Sequence, residues 1–235
     1  MPRLVLKWLG HSAFMLTSPM GRKVLIDPWI IDNPACPVKL GEIDAPDIVL
    51  VTHDHFDHTG SAADIVRSTG AVLVAVPETA ARFQMEMAVA ADNVVMGGTG
   101  MNVGGSVDLD GIIVTMTQAF HSSQTGCPVG YVIRFEDGVT VYHAGDTGIF
   151  QSMELIGELY PLDIALVPVG GAFTMDAYQA AKALDLLRPK KAIPMHYGTF
   201  PVLEPDAVRF VDLAGRDAPQ VDVVVLEPGQ EYVLD

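Results

Sequence analysis

Apolar positions along the chain fall into short runs rich in β-branched residues, broken by glycine, proline and polar clusters, a spacing that predicts many brief strands with helices between them. Residues 4–8, 13–17 and 23–26 read as adjacent antiparallel strands, divided by Gly10-His11-Ser12 and the turn Ser18-Pro19-Met20-Gly21. A buried strand over 48–52 follows, then a helix over 60–68, a strand over 72–76 and a helix over 77–87 with Pro77 in its first turn. Glycine is frequent from 93 to 111, after which 112–117, 130–135 and 139–143 again read as strands, the last two joined by the hairpin turn Glu136-Asp137-Gly138. Strands over 162–167, 191–194 and 221–226 then alternate with helices over 176–187 and 205–213.

The order is therefore β-rich, α/β, β-rich, α/β, which suggests two similar halves. No linker or low-complexity tract separates them, so 1–235 is expected to form one domain. Some strands alternate in polarity and others are apolar throughout. An α/β fold in which two mixed sheets face each other with helices outside, a four-layer αββα sandwich, satisfies both patterns.

The strand at 48–52 runs into His53-Asp54-His55-Phe56-Asp57-His58. Such a density of ligand-type side chains is hard to explain by packing. His53 and His55 alternate by two, which in an extended segment puts both imidazoles on one side, as ligands of one ion require. Asp57 and His58 follow where the chain turns towards a helix, and can face a second ion beside the first. Further candidates stand at other strand ends: His121 in Phe120-His121-Ser122, Asp146 in Ala144-Gly145-Asp146-Thr147, and His196 after Ile193-Pro194-Met195. A carboxylate such as Asp146 can bridge two ions. His11 and His143 are the histidines left over. Each is open to four readings: a hydrogen-bond partner of a ligand, a substrate contact, a general acid, or a buried structural histidine. His143 is counted with Asp57 and Asp146 among the catalytic candidates.

Composition narrows the partners. The chain has 14 Lys+Arg against 29 Asp+Glu, a net charge of −15, so nucleic acid is disfavoured and a small-molecule substrate is expected, anionic ones included since metal ions add local positive charge. The densest cationic group is Arg188, Lys190 and Lys191. No run of about 18 apolar residues suggests a membrane span. Two cysteines, Cys36 and Cys127, form no disulfide framework, and the N-terminal apolar stretch is too short for a signal peptide, so a cytoplasmic location is expected. Met85, Met87 and Met96 offer a surface for homo-oligomerisation or, alternatively, fill the core.

The pattern His53-x-His55-x-Asp57-His58 with later His121, Asp146 and His196 resembles the metallo-β-lactamase superfamily. Trp8-Leu9-Gly10-His11-Ser12, Leu25-Ile26-Asp27-Pro28-Trp29, Tyr142 to Thr147 and Pro194 to Pro201 are similar to the branch of metal-dependent hydrolases that contains the ascorbate-phosphate lactonase. The resemblance implies the αββα fold, with His53, His55 and His121 on one metal, Asp57, His58 and His196 on the other, and Asp146 between them. It also implies that Asp27 lies behind the site and holds an imidazole N–H, the alternative being a turn aspartate before Pro28.

The expected activity is hydrolysis by a hydroxide bridged between two divalent metals, acting on a small-molecule ester, lactone or phosphoester. The alternatives are a phosphodiesterase or nuclease, and an iron-dependent redox enzyme on the same fold; His55 weighs against the di-iron flavoprotein type, which has Glu there. Zinc suits the ligand set best, and manganese and iron accept it too. Two loops are candidates for the pocket. Gly170 to Asp176 leads into a helix with Thr174 as a candidate N-cap, so its N–H groups can face an anion, an ordinary capped helix start being the alternative. Tyr197 either donates to a leaving group or packs.

Overall fold

The computed structural model describes residues 3–235. Strands β1 (Leu4–Trp8), β2 (Phe14–Thr17) and β3 (Lys23–Ile26) form an antiparallel meander, and β4 (Ile48–Leu50) and β5 (Val72–Val74) extend it in parallel. Between β4 and β5 lie the helices α1 (Phe56–Thr59) and α2 (Ala62–Thr69), and α3 (Pro77–Met87) follows with Pro77 at its N-terminus, where a missing N–H costs nothing. The second half begins with β6 (Ser106–Leu109), β7 (Ile112–Gln118), β8 (Val129–Arg134) and β9 (Thr140–His143), all antiparallel neighbours. It continues through α4 (Met153–Leu159), β10 (Ile164–Pro168), α5 (Ala177–Leu187), β11 (Lys191–Met195), α6 (Val208–Asp217), β12 (Asp222–Val223) and β13 (Glu231–Leu234).

The strands form a 6-stranded sheet, β13-β1-β2-β3-β4-β5, and a 7-stranded sheet, β12-β11-β10-β9-β8-β7-β6. Both are mixed, and the helices flank them, so the fold is the expected sandwich. One continuous apolar core joins residues from both sheets, such as Leu6, Phe14 and Leu50 with Val114, Ile133 and Leu166. A second cluster joins Val49, Val51 and Leu73 to Ile65 and Phe83 of the helices over the first sheet. Burial on two faces is why β4 and β10 are apolar at every position. Tyr131 of β8 crosses between the sheets and donates its hydroxyl to the Val51 carbonyl at 2.7 Å, with that of Val74 at 3.1 Å. The two sheets are thereby tied together beside the loop that leaves β4. Among the described residues no helix is long and apolar enough to cross a membrane.

Several elements differ from the sequence reading. The helix expected over 60–68 is α2, which starts at Ala62, and a further short helix, α1, precedes it within the His-rich segment; Gly60 between them is closely packed, since a Cβ there would lie 2.8 Å from the Phe56 carbonyl and 3.0 Å from Trp29. The strand expected over 221–226 pairs only at Asp222–Val223. Ala192 accepts from Val224 on that side, so by alternation Pro194 faces the same way and has no N–H to continue the ladder. Neither α4, β6 nor β13 stands out in the sequence. β13 returns the C-terminal segment to the far edge of the first sheet, where Leu4 pairs with Leu234.

Candidate metal centre

The four strand ends converge on one side of the sandwich. Three of the residues there, His11 (φ 56), Asp27 (φ 45) and His196 (φ 60), occupy the left-handed region, which costs a non-glycine residue about 1–3 kcal/mol. Neighbouring contacts hold this strain. The His196 N–H donates to the His11 carbonyl at 3.1 Å, and Trp8 Nε1 donates to the same carbonyl at 2.9 Å.

The structure brings together all seven residues that the motif singled out. His53, His55 and His121 form one group and His53, His58 and Asp146 another, each with potential ligand atoms within 4.8 Å of one another. His53 Nε2 faces His55 Nδ1 at 3.0 Å. At the centre, Asp146 Oδ2 stands 2.9 Å from His196 Nε2, 3.3 Å from His58 Nε2 and 3.7 Å from His121 Nε2. Atoms that ligate a tetrahedral zinc at 2.0–2.1 Å lie about 3.3 Å apart. Three buried atoms here, His58 Nε2, Asp146 Oδ1 and His196 Nδ1, have no hydrogen-bond partner. Unpartnered donor atoms at ligand spacing fit a cation, since a buried lone pair without a partner is otherwise costly.

Behind these groups Asp27, fully buried, accepts from the Thr52 N–H at 2.8 Å, the Thr52 hydroxyl at 2.7 Å and His58 Nδ1 at 2.7 Å. The bond to Nδ1 keeps a proton there, so Nε2, towards Asp146, is the nitrogen that a cation would take. Thr52 Oγ1, its own proton spent on Asp27, lies 3.1 Å from His53 Nδ1 and accepts from it. One carboxylate thus orients two imidazoles. Asp54, on the opposite side of the extended segment from His53 and His55, points away from the cluster. It accepts from Ser123 Oγ at 2.8 Å, the Gln124 N–H at 2.7 Å, Thr125 Oγ1 at 2.6 Å and Arg82 at 2.9 Å. It braces the loop that carries His121 against the loop that carries His53.

The electrostatics follow from burial and mutual charge. Burial alone would raise the Asp146 carboxyl, yet His196 and His58 hold it well below the usual carboxylate range. Asp57 is lowered likewise, its burial outweighed by His11 and His58. Burial, reinforced by His58, pushes His53 well below its ordinary value. His58 goes the other way: burial would lower it, but Asp146 and Asp27 raise it.

The two leftover histidines separate. His11 is completely buried, sits 3.1 Å from Asp57 Oδ2 through Nε2 and 2.6 Å from Thr199 Oγ1 through Nδ1, and packs against His196 with ring centres 3.9 Å apart. Burial lowers its pKa to about 4 despite Asp57. His11, Asp57, His58 and His196 form a third group of potential ligands. His143 instead donates Nε2–H to the Ser12 carbonyl at 3.0 Å and accepts the Gly145 N–H on Nδ1 at 3.1 Å. Both its nitrogens are held by backbone, and the structure does not bring it to the cavity over the cluster. Tyr197 also lies elsewhere: it packs on Trp8 at 5.3 Å and lines a separate cavity with Pro205 and Val208. Asp176, not Thr174, caps α5, accepting from the Gln179 N–H at 2.8 Å. Its carboxylate occupies the helix start where the sequence reading placed an anion.

A cavity of ≈ 590 Å³ opens over the cluster, with His55, Asp57, His121, Asp146 and His196 in its floor. Gly145 sets the depth of that floor. It has φ +61, and a Cβ there would meet the Val129 carbonyl at 2.5 Å and Thr52 Cβ at 3.0 Å. Gly145→Ala is expected to destabilise the fold by about 1–3 kcal/mol and to displace Asp146, so thermal melting and hydrolytic rate should fall together. An unchanged melt with full activity would contradict this placement.

The chain is 50% identical over 228 residues, 97% of this chain and 94% of the relative, to the UPF0173 metal-dependent hydrolase of Nitratidesulfovibrio vulgaris strain DP4. It is 48% identical over 225 residues to the UPF0173 metal-dependent hydrolase of Caldivirga maquilingensis, covering 95% of each. Among solved structures it superposes on Igni18, a metallo hydrolase from the hyperthermophilic archaeon Ignicoccus hospitalis, with a TM-score of 0.88 and 39% identity, covering 99% of this chain and 98% of that one. Fold, site and relatives together define a metal-dependent hydrolase of the metallo-β-lactamase fold. The model of the family described as "Beta-lactamase superfamily domain" matches residues 22–197, and the chain belongs to that superfamily.

Proposed function

We propose that this hydrolase works with two divalent ions, zinc fitting the imidazole-rich donor set best, and cleaves an ester, lactone or phosphoester of a small molecule. His53, His55 and His121 would hold one ion, and Asp57, His58 and His196 the other, with Asp146 shared. When bound, such ions supply Lewis acidity at the scissile carbonyl or phosphoryl oxygen and lower the pKa of water from 15.7 to about 7. The observation that supports this reading above all is the Asp146 carboxylate, which stands amid His58, His121 and His196 with Oδ1 unpartnered.

The chain's own groups do the rest. Asp57 and Asp146 reach the cavity floor as carboxylates that accept hydrogen bonds from a nucleophilic water and aim its lone pair at the substrate. Asp27 and Thr52 keep His58 and His53 in the tautomers that leave Nε2 free. His11 holds Asp57 in place. A polyanion finds little purchase: Arg188 pairs with Glu154, Lys190 with Asp163 and Lys191 with Asp222.

Stripping metal with a chelator is expected to abolish turnover across a panel of esters, lactones and phosphodiesters, and re-addition of zinc or manganese to restore it, with elemental analysis giving two ions per chain. Full activity in stripped protein would sink the reading. Visible absorbance in the loaded protein would redirect it to iron.

A further inference from the structure

The cavity over the cluster has a wall that the metal chemistry does not require. Phe56, Phe173, Phe200 and Val202 line it, and Phe56 is 65%, Phe173 58% and Val202 57% exposed. They come from three separate parts of the chain: Phe56 opens α1, Phe173 follows β10, and Phe200 and Val202 lie between β11 and α6. Large apolar side chains left in solvent and gathered from distant parts of the chain onto one opening mark a binding surface. The wall is also braced from behind. Trp29 stacks on Phe200 with ring centres 5.6 Å apart and planes inclined at 17°, and meets Phe56 edge-on at 5.6 Å. Aromatic contacts of this kind fix the rings before a ligand arrives.

Away from the candidate metal ligands the opening carries no cationic side chain: among the described residues no Lys or Arg lines the cavity, and its polar side chains are the candidate ligands His55, Asp57, His121, Asp146 and His196, with Ser122 beside them. A phosphate or carboxylate on the substrate away from the scissile bond needs an Arg, a Lys or a free helix N-terminus to replace its hydration. The nearby start of α5 is closed by the Asp176 carboxylate, and the chain carries a net charge of −15.

Resting on the hydrolase reading above and deepening it, we infer that the substrate is an uncharged carboxylic ester or lactone bearing an aryl or branched alkyl group that lies against Phe56, Phe173, Phe200 and Val202. Phosphoesters and acid-bearing esters are disfavoured. In the reaction the oxygen of water joins the carbonyl carbon, the ester C–O bond breaks, and the leaving alkoxide takes a proton from that water, giving a carboxylic acid and an alcohol. The acid ionises as it leaves, and away from the metal ligands the wall offers no Lys or Arg to hold its carboxylate.

Phenyl acetate and 4-acetoxybenzoate carry the same ester and ring and differ by one carboxylate. With metal-loaded protein, kcat/KM is expected to favour phenyl acetate at least tenfold, mainly through KM. Val202→Lys should raise kcat/KM for 4-acetoxybenzoate at least fivefold, and Phe56→Ser should raise KM for phenyl acetate. Binding provides a readout apart from turnover: benzamide should alter the fluorescence of Trp29, whereas benzenesulfonate should not. Equal or better use of 4-acetoxybenzoate, or turnover of bis(4-nitrophenyl) phosphate without that of phenyl acetate, overturns the inference and leaves the hydrolase reading standing. Benzamide binding with no turnover of any of these substrates overturns the hydrolase reading and upholds the ligand chemistry.

Discussion

Asp146→Asn is expected to lower turnover by about 10²–10³-fold, the range for losing one preorganised electrostatic group, and to reduce bound metal from the proposed two ions per chain towards one. Asn matches Asp in volume, and Asp146 is buried, so the substitution should leave packing intact. What it removes is negative charge at the point where His58, His121 and His196 converge, in a largely buried position where a charge interacts more strongly than in bulk water. The amide also offers N–H groups to a place that calls for acceptors. Elemental analysis and a steady-state assay on the same preparation check this. A variant with two ions and an unchanged rate would remove Asp146 from the centre.

Much of this centre was legible because its groups are local in sequence or end apolar strands. The period of two in His53 and His55 puts them on one side of an extended segment, and the same period puts Asp54 on the other, where it binds Arg82, Ser123, Gln124 and Thr125. That consequence was available from the spacing, yet the density of ligand-type residues obscured it. His143 shows the opposite problem. Its place after an apolar strand resembles that of a ligand, and only the positions of Ser12 and Gly145 in space reveal that both nitrogens are taken.

The cavity wall carried no such signal. Phe56, Phe173 and the pair Phe200 and Val202 lie far apart in the sequence with no shared period, a common pattern without meaning until the fold gathers them. The same holds for the helix start at Asp176. A glycine-rich approach suggests an anion cradle, and an aspartate two positions beyond the expected cap fills it. In the fold, strand and helix types followed from periodicity, whereas β13 and β12 depended on long-range pairing. β13 is a short alternating strand that is stable only against β1, and β12 ends where Pro194 has no N–H.

Asp27→Ala and Asp27→Asn should separate the stability of this centre from its chemistry. In Asp27→Ala the Thr52 N–H, the Thr52 hydroxyl and His58 Nδ1 lose a fully buried acceptor, and a residue without a side-chain polar group must hold φ 45. Breaking a buried polar cluster of this kind costs about 3–5 kcal/mol, which at 2–4 °C per kcal/mol for a chain of this size lowers Tm by roughly 10 °C. Asp27→Asn keeps the volume and a residue that tolerates the left-handed region, so its loss of Tm should be smaller. Its amide, however, turns a donor towards His58 Nδ1, which then accepts, and the imidazole proton moves to Nε2, the atom that faces Asp146. Thr52 Oγ1 loses its acceptor as well and no longer needs to receive the His53 proton. One substitution therefore inverts or frees an imidazole in each ligand group, and metal affinity should fall at least 10–100-fold, read by competition with a chromophoric chelator. If Asp27→Asn binds metal as tightly as the parent protein, the tautomers of His58 and His53 are not set by Asp27, and its burial serves the fold alone.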